Sequence, residues 1–224
     1  MAGTGQLASL DDIGAIHLPG VADVGSWLKV LSVLPSGRPG IRLSGIVGLS
    51  GLIAEGSAVH LAVSGYSKKP LRPVRLVYFD KGADNNWSLG WHQDRTIAVA
   101  AKASLPGFEV WTIKQGIPHV EPPMAIIEGM LTVRVHLDSV DQDNAPLRIV
   151  PGSHRLGRIS DVACNRLALD KGEFECHAKA GDLWLYRTAI VHASNQAAKP
   201  TRRRVVQIDY SGDELPHPLQ WFGI

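Results

Sequence analysis

Trp91-His92-Gln93-Asp94 places an imidazole and a carboxylate two residues apart, and far downstream Val191-His192-Ala193-Ser194 brings a second imidazole, followed by Arg202-Arg203-Arg204. Two histidines and one carboxylate on one face of a ferrous ion leave the opposite face open for a co-substrate and for O2. In an extended chain residues i and i+2 point to the same side, so His92 and Asp94 can reach one ion from a strand or from its immediate exit. His-x-Asp alone carries little weight in a chain with 9 His and 21 acidic residues. Its weight comes from the distal histidine on an apolar run and the basic segment after it.

The elements that must position these residues change character near residue 70. Before it, residues 21–34 and 45–64 are rich in Leu, Ala, Val and Gly, and Val24, Trp27, Leu28 and Leu31 recur at mixed three and four spacing. That pattern predicts short helices, packed as a cover. After Pro73 it becomes strand-like at Val74–Phe79, Thr96–Ala101, Met130–Leu137, Leu147–Val150, Asp182–Tyr186, Ala189–His192 and Arg203–Tyr210, with Gly, Pro, Asn and Asp in turns such as Asp141 to Pro146. Short strands punctuated this way predict a mainly β protein built on a jelly roll or related sandwich. The segment from about 101 to 128, with Pro106, Trp111, His119, Pro122 and Pro123, reads as a lid over the metal. Trp111 and His119 are its candidates for touching substrate; the alternative for Trp111 is to pack the lid on the barrel.

Strand parity addresses the interior. On Met130–Leu137 the odd positions Leu131, Val133, Val135 and Leu137 are apolar, while Thr132, Arg134 and His136 give the other face its polar character. In an ordinary sandwich that polar face meets water. In a barrel with a ligand in its mouth it turns inward, where Thr, Arg and His suit a carboxylate-bearing ligand. The same parity puts Trp184, Tyr186, Thr188, Ile190 and His192 on one side, with Tyr186 as a further substrate candidate. On a strand Arg203 must oppose Arg202 and Arg204, so the triplet cannot act as one patch. A buried guanidinium needs an anion, and its planar fork matches a carboxylate. Ser194, on the same face as His192, can donate a hydroxyl hydrogen bond to it.

Taken together, Trp91-His92-Gln93-Asp94, the stretch from Leu147 to Gly157 (LRIVPGSHRLG), His192-Ala193-Ser194 and the basic strand at Arg203 resemble the phytanoyl-CoA dioxygenase family over about residues 73 to 212. The resemblance implies a double-stranded β-helix (jelly roll, cupin-like) core with the N-terminal helices outside, and an Fe(II)- and 2-oxoglutarate-dependent dioxygenase. Such an enzyme uses O2 to hydroxylate a small-molecule substrate as 2-oxoglutarate is converted to succinate and CO2, and admits stimulation by ascorbate. It further implies that His92, Asp94 and His192 bind the iron, and that Arg203, in preference to Arg202 or Arg204, holds the co-substrate. Ser194 and Gln93 match family positions beside the co-substrate, and the inward polar face would add Thr132 and Arg134 there and His136 toward substrate. Asp94 separates the chain from the family's halogenases, which keep a small residue there so that chloride can bind. Two other classes are a cupin-like metalloenzyme that does not use 2-oxoglutarate and a noncatalytic ligand-binding β-barrel.

Other motifs carry less. His154 follows Pro151-Gly152-Ser153 without an acidic or histidine partner at i+2, which makes it a turn residue, and His177 and His217 are expected at the surface. Asp138, Asp141 and Asp143 lack the glycine and terminal glutamate of a calcium loop. With 224 residues the chain is expected to be a single domain: a helical cover to residue 72, the core over 73–212 and a C-terminal tail over 213–224. A hydrophobic fraction of 45% suffices for a sizeable core, and a net charge of +2 argues against nucleic acid or membrane as partner. No apolar run reaches the ~18 residues of a membrane span. Two cysteines, Cys164 and Cys176, are too few for a disulfide framework, consistent with a soluble cytoplasmic protein. Oligomeric state is left open.

Overall fold

The computed structural model describes residues 10–224. In chain order the elements are α1 (Leu10–Ile13), β1 (Ala15–Leu18), α2 (Val24–Leu31), β2 (Ile41–Arg42), α3 (Leu49–Ile53), α4 (Ala58–Ser64), β3 (Arg72–Lys81), β4 (Leu89–His92), β5 (Ile97–Ala98), β6 (Glu109–Lys114), β7 (Ile117–Glu121), α5 (Met124–Glu128), β8 (Leu131–His136), β9 (Leu147–Ile149), α6 (Asp161–Lys171), β10 (Phe174–Cys176), β11 (Leu183–Arg187), β12 (His192–Ser194) and β13 (Arg203–Ser211). A six-stranded sheet in the order β1-β11-β8-β13-β3-β2 faces a four-stranded sheet in the order β10-β9-β12-β4, as halves of a double-stranded β-helix. A three-stranded sheet, β5-β7-β6, lies beside them.

The alternation along β8 explains the layering. Leu131, Val133 and Val135, with Leu183 and Leu185 of β11 and Val206 and Ile208 of β13, form the outer face of the large sheet. Trp27 and Leu31 of α2, Leu49 and Ile53 of α3, and Val59 and Val63 of α4 pack into the same cluster. Trp27 and Leu31 lie four apart and so share one helical face, and Asp23 caps that helix by accepting from the backbone N–H groups of Gly25 and Ser26. Burying each such large apolar side chain is worth about 1.5–3 kcal/mol, which holds a cover of helices too short to be stable alone.

The opposite face looks into the barrel. Thr132, Arg134 and His136 are buried at 0%, 9% and 1% exposure, so the polar side of this strand meets the interior and not water. Between the sheets, Leu147, Ile149 and Cys176 pack on Trp184, Tyr186 and Ile190.

Three expectations are corrected. The strand expected at Ala189–His192 is β12 at His192–Ser194, because the chain turns at 188–191 to pass from the large sheet to the small one. Parity therefore does not run unbroken from Trp184 to His192, although Tyr186 and His192 still meet across the interior with ring centroids 6.0 Å apart. The strand expected at Thr96–Ala101 is only Ile97–Ala98. The expected lid is a β6–β7 hairpin followed by α5, with a two-residue turn, Gln115 (φ 53°) and Gly116 (φ 80°), between paired Lys114 and Ile117. Positive φ at both turn positions matches strand twist, and glycine takes it without strain. The C-terminal tail is tied in: Trp221 bridges Val99, and Leu215 and Leu219 are buried under the hairpin. Among the described residues no helix is long and apolar enough to cross a membrane.

Candidate metal centre

β4 and β12 are paired so that His92 lies opposite His192, which brings the rings to 4.3 Å between centroids. Asp94, two residues on at the exit of β4, completes a set whose ligand atoms all lie within 4.8 Å of one another. Each imidazole is oriented by its own backbone, since His92 Nδ1 is 2.8 Å from Gly90 O and His192 Nδ1 is 3.0 Å from Ile190 O. Donation from Nδ1–H fixes the tautomer and leaves each Nε2 as the donor to a metal.

Asp94 is held from the large sheet. Its Oδ2 accepts from Gln207 Nε2 at 3.0 Å and from Arg75 Nη2 at 3.4 Å, leaving Oδ1 for coordination. Burial opposes ionisation here, but Arg75, His192 and His92 together with the Gln207 bond hold the carboxyl well below the usual carboxylate range. Arg75 is itself fixed by Asp209, which also accepts from Thr132 Oγ1 at 3.1 Å. Burial, reinforced by His92, pushes His192 down to about 4, so it is neutral at neutral pH. Neutral imidazoles and an ionised carboxylate are the protonation states in which these groups bind a divalent metal.

The triad opens on a cavity of about 200 Å³. Alternate residues of β3, namely Arg75, Val77, Phe79 and Lys81, line it, as do Arg203 and Gln207 of β13, Arg134 of β8, and Ser194. Arg203 is 5% exposed, and its guanidinium donates to Ala145 O. Burial and the neighbouring Arg134 push it down to about 9. Lys81 donates to Trp87 O at 2.7 Å, and burial with Arg203 and Arg134 pushes it down to about 7. Arg134 Nε is buried without a hydrogen-bond partner among the described residues. Among the described residues none of these three cations has a carboxylate within ion-pair distance. Such a cluster is costly unless an anion occupies it.

Arg202 and Arg204 face the other way, as alternation requires. Arg202 pairs with Asp80 through Nε and Nη2 at 3.1 and 3.0 Å, and Arg204 pairs with Asp138 at 2.9 and 2.7 Å.

Six candidates are not brought to the cavity wall. Gln93 turns away, its Nε2 donating to Gly157 O and Ala189 O and its Oε1 accepting from Ile159 N–H, so it ties the metal loop to the segment before α6. Thr132 spends its hydroxyl on Thr188 and Asp209. Trp111 packs the hairpin onto the cluster of Val74, Ile97 and Val120. His119, 0% exposed, sits behind Arg42, whose Nε lies 3.3 Å from its Nε2. His136 and Tyr186 are buried beyond the lining, with both ring nitrogens and the phenol oxygen unpartnered among the described residues. His154 is bound to Asp11 O, away from the triad, and His177 and His217 are exposed.

The sequence reading passed over Arg75, Gln207, Lys81, Arg42 and Lys114. Gln207 shares the parity of Arg203, and Arg75 that of Lys81, so the signal existed once the inward face of each strand was fixed.

A family model, phytanoyl-CoA dioxygenase, matches residues 68–205, well over half of the chain. This chain belongs to that family. Among solved structures, the non-heme alpha-ketoglutarate-dependent epimerase SnoN from nogalamycin biosynthesis is 20% identical over 90% of this chain and 77% of its own, with a TM-score of 0.66. HygX from Streptomyces hygroscopicus, crystallised with nickel and 2-oxoglutarate, is 16% identical over 94% and 87%, with a TM-score of 0.63. The carbocyclase SnoK, also from nogalamycin biosynthesis, is 15% identical over 90% and 80%, with a TM-score of 0.63. At these identities the likeness establishes the shared family fold. No curated protein matches.

Proposed function

We propose that the chain is an Fe(II)- and 2-oxoglutarate-dependent oxygenase acting on a small molecule, with hydroxylation as its reaction. One observation carries this reading: a preorganised His92-Asp94-His192 donor set opens on the same cavity as Arg203, Arg134 and Lys81, cations that have no carboxylate partner among the described residues. A cupin-like enzyme without 2-oxoglutarate would leave those charges without a function.

The donor set suits a ferrous ion, which His92, Asp94 and His192 would hold on one face. The chemistry it supplies when bound is oxidation of a C–H bond by O2, one oxygen atom entering succinate and the other the substrate while CO2 leaves. The protein's share is positional. Gln207 and Arg75 fix the rotation of Asp94, and the Gly90 and Ile190 carbonyls fix the two imidazoles. Arg203, supported by Arg134 and Lys81, would take the distal carboxylate of 2-oxoglutarate, with Ser194 beside it. Val77, Phe79, Leu89 and Leu147 in the wall limit water around those charges.

The test is succinate formation from 2-oxoglutarate by the Fe(II)-loaded protein without added substrate. Slow succinate release is expected in wild type and its loss in His92→Ala and Asp94→Ala, with folding retained. Persistence of the release in both variants, or its absence from well-loaded wild type, would sink the proposal. In a metabolite screen, hydroxylation is read as a product that gains one oxygen atom.

A further inference from the structure

The cavity has a second cationic end. β13 pairs Gln207 with Arg134 of β8 on one side and with Val77 of β3 on the other, and β2 pairs Arg42 with Val77. One transverse row therefore runs Arg134, Gln207, Val77, Arg42 across four adjacent strands, all on the inward face. At ~4.8 Å per strand, its two arginine backbones stand about 14 Å apart. Gln207, in the middle, holds Asp94, so the metal centre lies between the ends.

At the far end Arg42 is joined by Lys114, the last residue of β6 before the hairpin turn. The pair is built and held. Gln115 Oε1 accepts from Arg42 N–H at 2.8 Å and its Nε2 donates to Gly40 O at 2.7 Å, clamping the hairpin tip to β2. Buried His119 has Nδ1 2.9 Å from Ile117 O, which leaves Nε2 to accept from Arg42 Nε. Arg42 is thereby aimed from behind, and its terminal nitrogens make no bond to the described residues. Among the described residues Lys114 Nζ reaches only the Thr96 hydroxyl, at 3.4 Å. Neither cation has a carboxylate within ion-pair distance among the described residues, and burial together with Arg75 lowers the pKa of both.

The side-chain charges leave room for a further anion. Six cationic side chains and one carboxylate, Asp94, line the cavity, and Asp209 lies behind Arg75. A ferrous ion and the 2-oxoglutarate dianion cancel one another. Asp94 and Asp209 offset two of the six side chains, which leaves four, and two of those, Arg42 and Lys114, stand at the end away from the proposed co-substrate. Fixed, partly desolvated cations facing a cavity are a binding site for an anionic group.

We propose that Arg42 and Lys114 form a substrate subsite that takes a carboxylate or phosphate group and presents the remainder of that molecule to the metal centre. This rests on the oxygenase reading for the word substrate, and on the geometry alone for the anion site. A guanidinium fork beside an ammonium binds either group, and two probes separate them.

Inorganic phosphate and, in parallel, acetate are titrated into protein carrying Mn(II) and saturating 2-oxoglutarate, and the paramagnetic shortening of phosphorus or carbon relaxation is followed. Saturable binding near the metal is expected for at least one probe, the tighter one naming the group. The double variant Arg42→Gln, Lys114→Gln should weaken it about ten- to a hundredfold, the worth of one or two charge-assisted hydrogen bonds. Affinity for 2-oxoglutarate should keep its wild-type value. Arg42→Lys keeps the charge but not the fork and should bind between wild type and the double variant, which separates loss of the site from loss of fold. Absence of saturable binding, displacement of the probe by 2-oxoglutarate, or equal affinity in the double variant overturns the proposal. Failure of Mn(II) to bind would instead count against the metal centre, and calorimetric titration of phosphate and acetate into metal-free wild type and double variant would still decide the anion site by the same comparison.

Discussion

Gln207 and Arg203 share the inward face of β13, the first bonded to Asp94 and the second proposed to hold the co-substrate. Gln207→Leu removes the bond that fixes Asp94 Oδ2 while keeping the side chain's bulk. Partners of this kind typically contribute 10- to 100-fold in metal affinity, so Fe(II) or Mn(II) titration of the variant should show a loss of about that size. An unchanged affinity would mean that Arg75 alone orients the carboxylate. Arg203→Lys should weaken 2-oxoglutarate by about ten- to a hundredfold, because an ammonium cannot reproduce the fork, as read from the charge-transfer absorption of the anaerobic Fe(II) protein. Arg202→Lys and Arg204→Lys should leave that affinity alone, since both face Asp80 and Asp138 on the outer side. A large loss in either would place the wrong arginine in the cavity. At this scale i, i+2 alternation was enough to set His92 beside Asp94, whereas His192 and the preference for Arg203 came from the family resemblance. Lys81, Arg42 and Lys114 were not legible, because their meaning depends on which strands lie side by side. The residue pattern of one strand does not contain that register.

The β6–β7 hairpin is the element on which the second cationic end depends, and one side chain, Gln115, ties its turn to the backbone around β2. Gln115 occupies a positive-φ position that a side chain rarely adopts, and it makes two short bonds to the backbone of residues 40 and 42. Gln115→Ala should release the tip: amide exchange should rise at Arg42 and around 113–117, while the amides of β8 and β13 keep their protection. Unchanged exchange at Arg42 would show that the β2–β3 pairing alone holds this edge. The hairpin was hidden in the sequence because its alternation is broken. The pairing slips between Glu109 and Thr112, Val110 takes a φ of 52°, and Pro118 interrupts β7, so no run of period two survives. The spacing of Val24, Trp27, Leu28 and Leu31 suffered no such interruption in α2, while residues 45–64, read only as short helices, divide into α3 and α4 around Gly56.

Across the whole molecule, the apolar odd face and polar even face of β8 carry the architecture: helices cover the first, and the second lines a charged interior. Burying titratable groups there makes stability depend on pH. Burial, with neighbouring cations or His92, pushes His119 and His192 down to about 4 and His136 down to about 3. An unfolded histidine titrates near 6.5, so from 6.5 down toward 4 the unfolded chain binds protons that the native one refuses. Stability is therefore full above that window and falls as pH drops, by about 1.4 kcal/mol per pH unit for each proton taken up on unfolding. Lys81 acts with the same sign in the next window: its native value of about 7 against 10.5 in the ordinary case means that the unfolded chain holds the extra proton between those limits. Urea midpoints of the metal-free protein should thus climb from pH 5 to 7 through the histidines and continue to climb from 7 to 9 through Lys81. Lys81→Met should flatten only the second rise. A wild-type midpoint that peaks near neutrality and falls by pH 9 would show that Lys81 keeps its proton in the fold, with the charge balance of the cavity shifted accordingly.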